Sequence, residues 1–295
     1  MTIRQQNTDK CFDAIMELRG ADELKDTAKR LKKFQQNKEL YSVADVSLPN
    51  YLWLAKRGGG LTTCVNAFTE YLYAAKIIEF SGIVKYFEFI PAYTNPDTYF
   101  SELTRLNNII SEIAGHYRYF RGIACIIIDE WINHTNEANF LNIFDYIANH
   151  NDKLLAIFCV HTKDKHTVES IQSALIKYMR FETISLGFPN PVELTDFIET
   201  KYFKTSNFHL AEDAKFLLTE SIENIIEGKN FNGFVTIKQI ANDILYNLLT
   251  SNLNTNKISS EMISDFDKDS AYIKQIKYDA EKSNVVGFKH TEVSK

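Results

Sequence analysis

The stretch Gly122-Ile123-Ala124-Cys125-Ile126-Ile127-Ile128-Asp129-Glu130-Trp131 decides the fold, because an unbroken apolar run is followed at once by two adjacent carboxylates. Small and β-branched residues without polar alternation suit a strand covered on both faces, as in the parallel sheet of an α/β domain. Ligands bind at the carboxyl ends of such strands. Asp129 and Glu130 are therefore expected at the rim of a crevice. There one carboxylate can hold a metal-bound water and the other can polarise an attacking water. The same residues also fit a buried strand that ends in a solvated turn.

Upstream, Tyr51-Leu52-Trp53-Leu54-Ala55 reads as a strand introduced by Pro49. It runs directly into Lys56-Arg57-Gly58-Gly59-Gly60-Leu61-Thr62-Thr63 and then a helical pattern through Cys64, Phe68, Leu72 and Ala75. Strand, glycine loop, hydroxyl pair and helix form a P-loop arrangement. Glycines let backbone N–H groups approach phosphates, the helix start supplies partial positive charge, and a Ser or Thr there can reach magnesium. In the frame G-x-x-x-x-G-K-[ST], Gly60 and Thr62 fit, but Ala55 stands at the first glycine position and Leu61 at the lysine. Loss of that lysine removes a charge-assisted contact of roughly 1.5–3 kcal/mol. Lys56 and Arg57 are the nearby cations that could substitute. The alternative is a glycine turn packed on a helix, with its cations in solvent.

Val84 to Ile90 is a further strand candidate, stopped by Pro91, and a loop containing Tyr93 follows. From Asp97 a helical pattern leads back to Gly122, and a helix is expected from about Glu137 to Asn149. Leu154 to Val160 reads as another buried strand, and it ends in His161-Thr162. That polar pair is expected in the same crevice as Asp129, where His161 could contact a phosphate, position a water, or make only a local hydrogen bond.

With 295 residues, 45% of them hydrophobic, the chain can bury a large core. A net charge of -5 and a pI near 5.9 give no general attraction for nucleic acid or anionic lipid. No apolar run approaches the roughly 18 residues of a membrane span, and no charged-then-apolar leader opens the sequence, so a soluble, cytoplasmic protein is expected. Cys11, Cys64, Cys125 and Cys159 form no Cys-x-x-Cys pair and have no His at metal-ligand spacing. They read as structural thiols. Residues 9 to 37 show helical spacing, with Phe12, Ile15, Leu18, Leu24, Ala28 and Leu31 recurring every three or four residues. Gly20 divides them into two helices, the second with acids in its first turn.

In their order and spacing these parts resemble an AAA+ ATPase module from about Leu18 to near Leu249. Leu18 to Lys25 matches the N-terminal linker, Gly58 to Thr63 a degenerate Walker A, Ile123 to Glu130 a Walker B, and His161-Thr162 the sensor-1 region. Ala174 to Phe181, Thr183 to Leu186 and Pro189 to Leu194 are similar to the family's arginine-finger helix, last strand and hinge. The linker and its spacing to the glycine loop look most like the Rubisco-activase-like and sporulation-type branch. The implied fold is a P-loop NTPase of α/β class, a parallel sheet flanked by helices and followed by a small helical lid.

The resemblance carries roles onto matching positions. Asp129 and Thr62 would hold magnesium, and Glu130 would activate the water. Lys56, Arg57, Gly58, Gly59, Gly60, Thr62, Thr63 and His161 would surround the nucleotide, ATP. Arg180 would reach a neighbouring subunit's γ-phosphate. It could equally be a surface arginine beside Lys177. Tyr93 falls where the family often carries an aromatic pore residue. Helices are expected over Glu193 to Tyr202, Ala211 to Ile225 and Thr236 to Leu249, the last without the expected sensor-2 arginine and with only Lys238 nearby. The implied divisions are 1–46, an N-terminal helical linker; 47–190, the nucleotide-binding α/β part; 191–252, the lid; and 253–295, a polar tail, partly disordered. Two functions follow. One is a regulatory or structural subunit of a homo- or hetero-oligomeric ring, with a weak or absent ATPase. The other is an active remodelling ATPase with a protein client. Neither a membrane nor a nucleic acid is indicated.

Overall fold

The computed structural model describes residues 3–41, 48–78, 87–89, 104, 107–108, 122–129, 137–152, 154–162, 164–226, 228, 231–250 and 255–263. Glu130, Trp131, Tyr93 and most of the 253–295 segment lie outside the described residues. The chain divides into two compact units, Met1–Phe188 and Pro189–Lys295.

In the first unit α1 (Ile3–Met16) and α2 (Asp22–Tyr41) flank a turn in which Gly20 takes φ 66°. The expected break at Gly20 is therefore present, and Asp22 and Glu23 sit in the first turn of α2, where a helix favours negative charge. Then follow β1 (Asn50–Leu54), α3 (Leu61–Ala74), β2 (Phe87–Phe89), β3 (Gly122–Ile127), α4 (Glu137–Asn149), β4 (Leu154–Val160), α5 (Lys165–Leu175) and β5 (Phe181–Ser185). The five strands pair in parallel in the order β2-β3-β4-β1-β5.

Every residue of β3 and β4 is buried. Alternate residues face opposite ways, as a period of two requires. Tyr51, Trp53, Cys125, Ile127, Ile157 and Cys159 pack with α1, α2 and α3 on one face. Leu52, Ala124, Ile126, Ala156 and Phe158 pack with α4 and α5 on the other. Burying each large aliphatic side chain stabilises by about 1.5–3 kcal/mol, which explains why these strands read as continuous apolar runs.

A buried polar residue fixes the register at the amino edge. Asn50 is 0% exposed; its Oδ1 accepts from the Ala156 amide at 2.8 Å, and its Nδ2 donates to Asn151 Oδ1 at 3.2 Å. The strand order also marks where a ligand crevice is expected. From β1 the chain passes to β2 at one side of the sheet, whereas from the adjacent β4 it passes to β5 at the other. Connections that diverge in this way leave a crevice at the carboxyl ends of the two strands.

The second unit contains α6 (Pro191–Ile198), α7 (Glu212–Ile225) and α8 (Phe234–Thr250), with a short parallel pair β6 (His209–Leu210) and β7 (Lys257–Ile258). Asn190 and Glu193 form a reciprocal capping box at the start of α6. The helix expected to run to Tyr202 changes pitch after Ile198, with a π-helical turn over Glu199–Phe203. Lys257–Ile258 falls in the segment read from composition as a polar tail, yet it pairs with β6 because Ile258 is 0% exposed and anchors it.

Candidate functional site

Three loops leave the carboxyl edge of β1, β3 and β4 side by side. The ladder continues to the loops themselves: Ala55 donates to the Val160 carbonyl at 3.1 Å and Ile128 to the Cys159 carbonyl at 2.8 Å. Each loop is thus positioned by the buried strand that precedes it.

The glycine loop occupies residues 55–60. Gly59 donates to the Lys56 carbonyl at 3.0 Å, closing a turn with Gly58 at φ 69° in the position where a type II turn needs positive φ. A Cβ on Gly59 would lie 2.9 Å from the Lys56 carbonyl oxygen, so the turn closes only with glycine. Gly60, at φ 80°, caps α3, and no side chain caps that helix start. The amides of its first turn therefore remain available to an anion. Lys56, Arg57, Thr62 and Thr63 are exposed. Leu61, the first residue of α3, is 9% exposed and packs in the core beneath the sheet. The position that the sequence resemblance would give to a phosphate-binding lysine is thus filled by an inward-facing apolar side chain.

Asp129 stands two residues past the end of β3, and His161 directly follows β4. His161 approaches both carboxylate oxygens through Nδ1, at 3.0 and 2.8 Å, and its backbone amide donates to Oδ1 at 2.7 Å. Arg57 reaches across from the glycine loop to 3.8 Å. Burial alone would raise the Asp129 pKa, but the side-chain and backbone hydrogen bonds from His161, with the electrostatic influence of His161 and Arg57, outweigh it and hold the carboxyl below its ordinary value. Asp129 and His161 have only 19% and 17% side-chain exposure, whereas Arg57 has 77%. The His161 contacts therefore carry most of the interaction, and the Arg57 contact is largely screened by solvent.

The expected crevice residues Lys56, Arg57, Gly58, Gly59, Gly60, Thr62, Thr63, Asp129 and His161 belong to these three adjacent loops. Arg180 does not. The helix expected through Ala174 to Phe181 ends at Leu175, and Arg180 stands just before β5 with its carbonyl accepting from the Asn50 amide at 3.1 Å. It lies at the amino edge of the sheet, away from its own glycine loop. The direct pairing of His161 with Asp129 was not specified by sequence. The signal was partial: both follow apolar runs, but their contact requires β3 and β4 to be neighbours.

The residues fit a nucleotide phosphate in part. The α3 amides, the Thr62 hydroxyl and the Lys56 and Arg57 cations suit phosphate or magnesium, and Asp129 is an oxygen ligand of suitable charge. Leu61 supplies nothing, and Asp129 already has partners that a metal ion would have to displace. Among the described residues no group of three or more His, Cys, Asp or Glu is arranged to hold a metal ion. No helix among them is long and apolar enough to cross a membrane.

No family model and no curated protein matches the sequence. Solved structures do match the fold. The structure of C. elegans PCH-2 superposes with a TM-score of 0.52 at 14% identity, covering 92% of this chain and 73% of that one. A chain from the structure of Drosophila ORC bound to poly(dA/dT) DNA and Cdc6 superposes with a TM-score of 0.50 at 11% identity, covering 92% of this chain and 46% of that one. The present chain thus spans less than half of that second relative. Identities this low speak for the fold alone. The parallel sheet flanked by helices, its glycine loop between β1 and α3, and the small helical unit that follows in the chain give it an α/β fold similar to that of the PCH-2 structure.

Proposed function

We propose that this chain is an AAA+ subunit with a weakened nucleotide site, serving a regulatory or structural role in a ring-like or hetero-oligomeric assembly. The observation that carries the reading is Leu61. It begins the helix at the end of the glycine loop but turns into the core, so the outer phosphates lack their usual cation. Phosphoryl transfer depends on positioning and on charge stabilisation, and both suffer from that loss.

ATP with Mg2+ would be held by the α3 amides, Thr62 and Asp129, with Lys56 and Arg57 as the remaining cations. Bound magnesium would supply charge neutralisation to the nucleotide phosphates. The chain's own contribution is to orient Asp129 through His161 and to bring Arg57 over the same carboxylate. Both contacts must be rearranged before Asp129 can turn to a metal, which further lowers the affinity.

Calorimetric titration of the full chain with Mg-ATP tests this. The expected outcome is weak binding, with a dissociation constant roughly in the millimolar range, and no measurable turnover. Leu61→Lys is expected to tighten binding about tenfold, the effect of one charge-assisted phosphate contact. Micromolar binding by the unaltered protein, lost in Asp129→Ala, would overturn the reading in favour of an active remodelling ATPase. That second reading is supported by the exposed Thr62 and by the rim position of Asp129, with Glu130 as the activating base. Arg180, at the opposite edge, could then act only on a neighbouring subunit's site.

A further inference from the structure

A second recess lies at the opposite edge of the same sheet. It is a cleft of about 200 Å³ between α2 and the amino ends of β1 and β5. The five residues of β1 span roughly 13 Å at the usual strand rise, so this cleft and the glycine loop stand at opposite ends of one strand. We propose that the cleft binds a carboxylate carried on a ring-sized apolar body, received by Arg180 and the Tyr51 phenol. The proposal does not rest on the nucleotide reading.

The charges are unevenly committed. Arg30 donates to Thr27 at 3.0 Å and to Glu182 at 2.9 Å, so the Glu182 carboxylate is matched within the wall. Arg180 also lines the cleft and is exposed, and its guanidinium makes no hydrogen bond or ion pair among the described residues. One positive charge is left over. Arginine presents a planar fork that matches a carboxylate in two parallel hydrogen bonds.

Tyr51 supplies an independent sign. The residue is 1% exposed, its ring meets Phe68 edge-on at 5.3 Å, and its hydroxyl has no hydrogen-bond partner among the described residues. Burial raises its pKa, and Glu182 raises it further, while Arg30 and Arg180 oppose the shift. The hydroxyl therefore stays protonated, and it feels the charges that line the cleft. Tyr51 lines the cleft, so its hydroxyl can donate to an acceptor that enters there.

Size and lining define the rest of the ligand. Leu31, Phe34 and Leu48 provide an apolar wall, and an apolar cavity of about 150 Å³ accepts a benzene ring. One ring with one carboxylate fills the space. Glu182 disfavours a dianion such as a phosphate monoester, because a second negative charge would face its carboxylate.

The test uses the full chain titrated with phenylacetate, followed by ligand-observed NMR and calorimetry. Benzylamine serves as the cation of similar shape. A short peptide ending in phenylalanine with a free carboxylate, compared with its amide, distinguishes a polypeptide terminus from a free small acid. Binding of phenylacetate indicates the free acid, and binding of the peptide acid alone indicates the terminus. In either case Arg180→Gln should weaken binding about tenfold or more, and Tyr51→Phe, which keeps the ring, about three- to tenfold. Absence of binding by phenylacetate and by the peptide acid at several millimolar overturns the proposal. So does equal binding of benzylamine, or an affinity unchanged in both variants while circular dichroism shows them folded.

Discussion

At the carboxyl edge of the sheet Asp129 is gripped by His161 through three contacts and approached by Arg57, whereas at the amino edge the Arg180 side chain makes no hydrogen bond or ion pair among the described residues. The difference follows exposure. Asp129 has 19% side-chain exposure, and a charge so far from water must be paired. Arg180 stands in solvent and can wait for a ligand. Asn50, buried beside Arg180, behaves like Asp129: it has no charge, but its amide is fully engaged. For Asp129, Asn50 and Arg180, commitment follows burial rather than edge, and groups already committed resist recruitment by a ligand.

Breaking the most buried commitment should have the largest effect. Asn50→Ala leaves the Ala156 amide without its acceptor and opens a small cavity between β1 and β4. A loss of about 2–3 kcal/mol is expected in urea unfolding. A result under half of this would mean that water or a shifted backbone replaces the side chain.

Asp129→Asn keeps the shape but removes the charge that His161 and Arg57 face. About 1–2 kcal/mol should be lost at neutral pH. Raising the salt concentration tests the division of labour at this edge: the His161 contribution should persist, because it is largely shielded from solvent, and the Arg57 contribution should fade. If Arg57→Gln cost as much as Asp129→Asn, the exposed cation would be the stronger partner and the comparison would fail.

Cys64 shows a third way of burying an ionisable group, which is to keep it neutral. Burial pushes its thiol up to about 11. In the unfolded chain a thiol titrates near about 8.5, so the folded state holds the proton more tightly. This contribution is full below about pH 8.5 and is lost as pH rises through the folded value. Stability should therefore fall over that alkaline interval, and less so in Cys64→Val, as read by urea unfolding at the two ends of the interval. Equal alkaline loss in both proteins would assign the effect to other groups.

The smallest effect belongs to the uncommitted group. Arg180→Gln should change stability by no more than about 0.5 kcal/mol, as thermal unfolding would show. A larger loss would mean that Arg180 is already part of the structure at its edge, and it would weaken the case for a ligand there.

The apolar runs at Gly122 to Ile128 and Leu154 to Val160 sufficed to announce buried parallel strands, because a strand covered on both faces has no room for polar alternation. Lys56 to Thr63 likewise announced a glycine turn opening a helix, because the backbone there takes angles that favour glycine. These signals are local, so the sequence by itself determined the strands, the helix starts, the helix break at Gly20 and the loops that would carry a site. It could not determine which strands are neighbours. That is set by how the helices pack across the whole unit, and it decided that His161 meets Asp129, that Leu61 turns into the core, and that Arg180 lies at the other edge beside Tyr51 and Glu182. Side-chain partners across a sheet depend on contacts between residues 32 to 162 positions apart, and only tertiary packing brings such residues together.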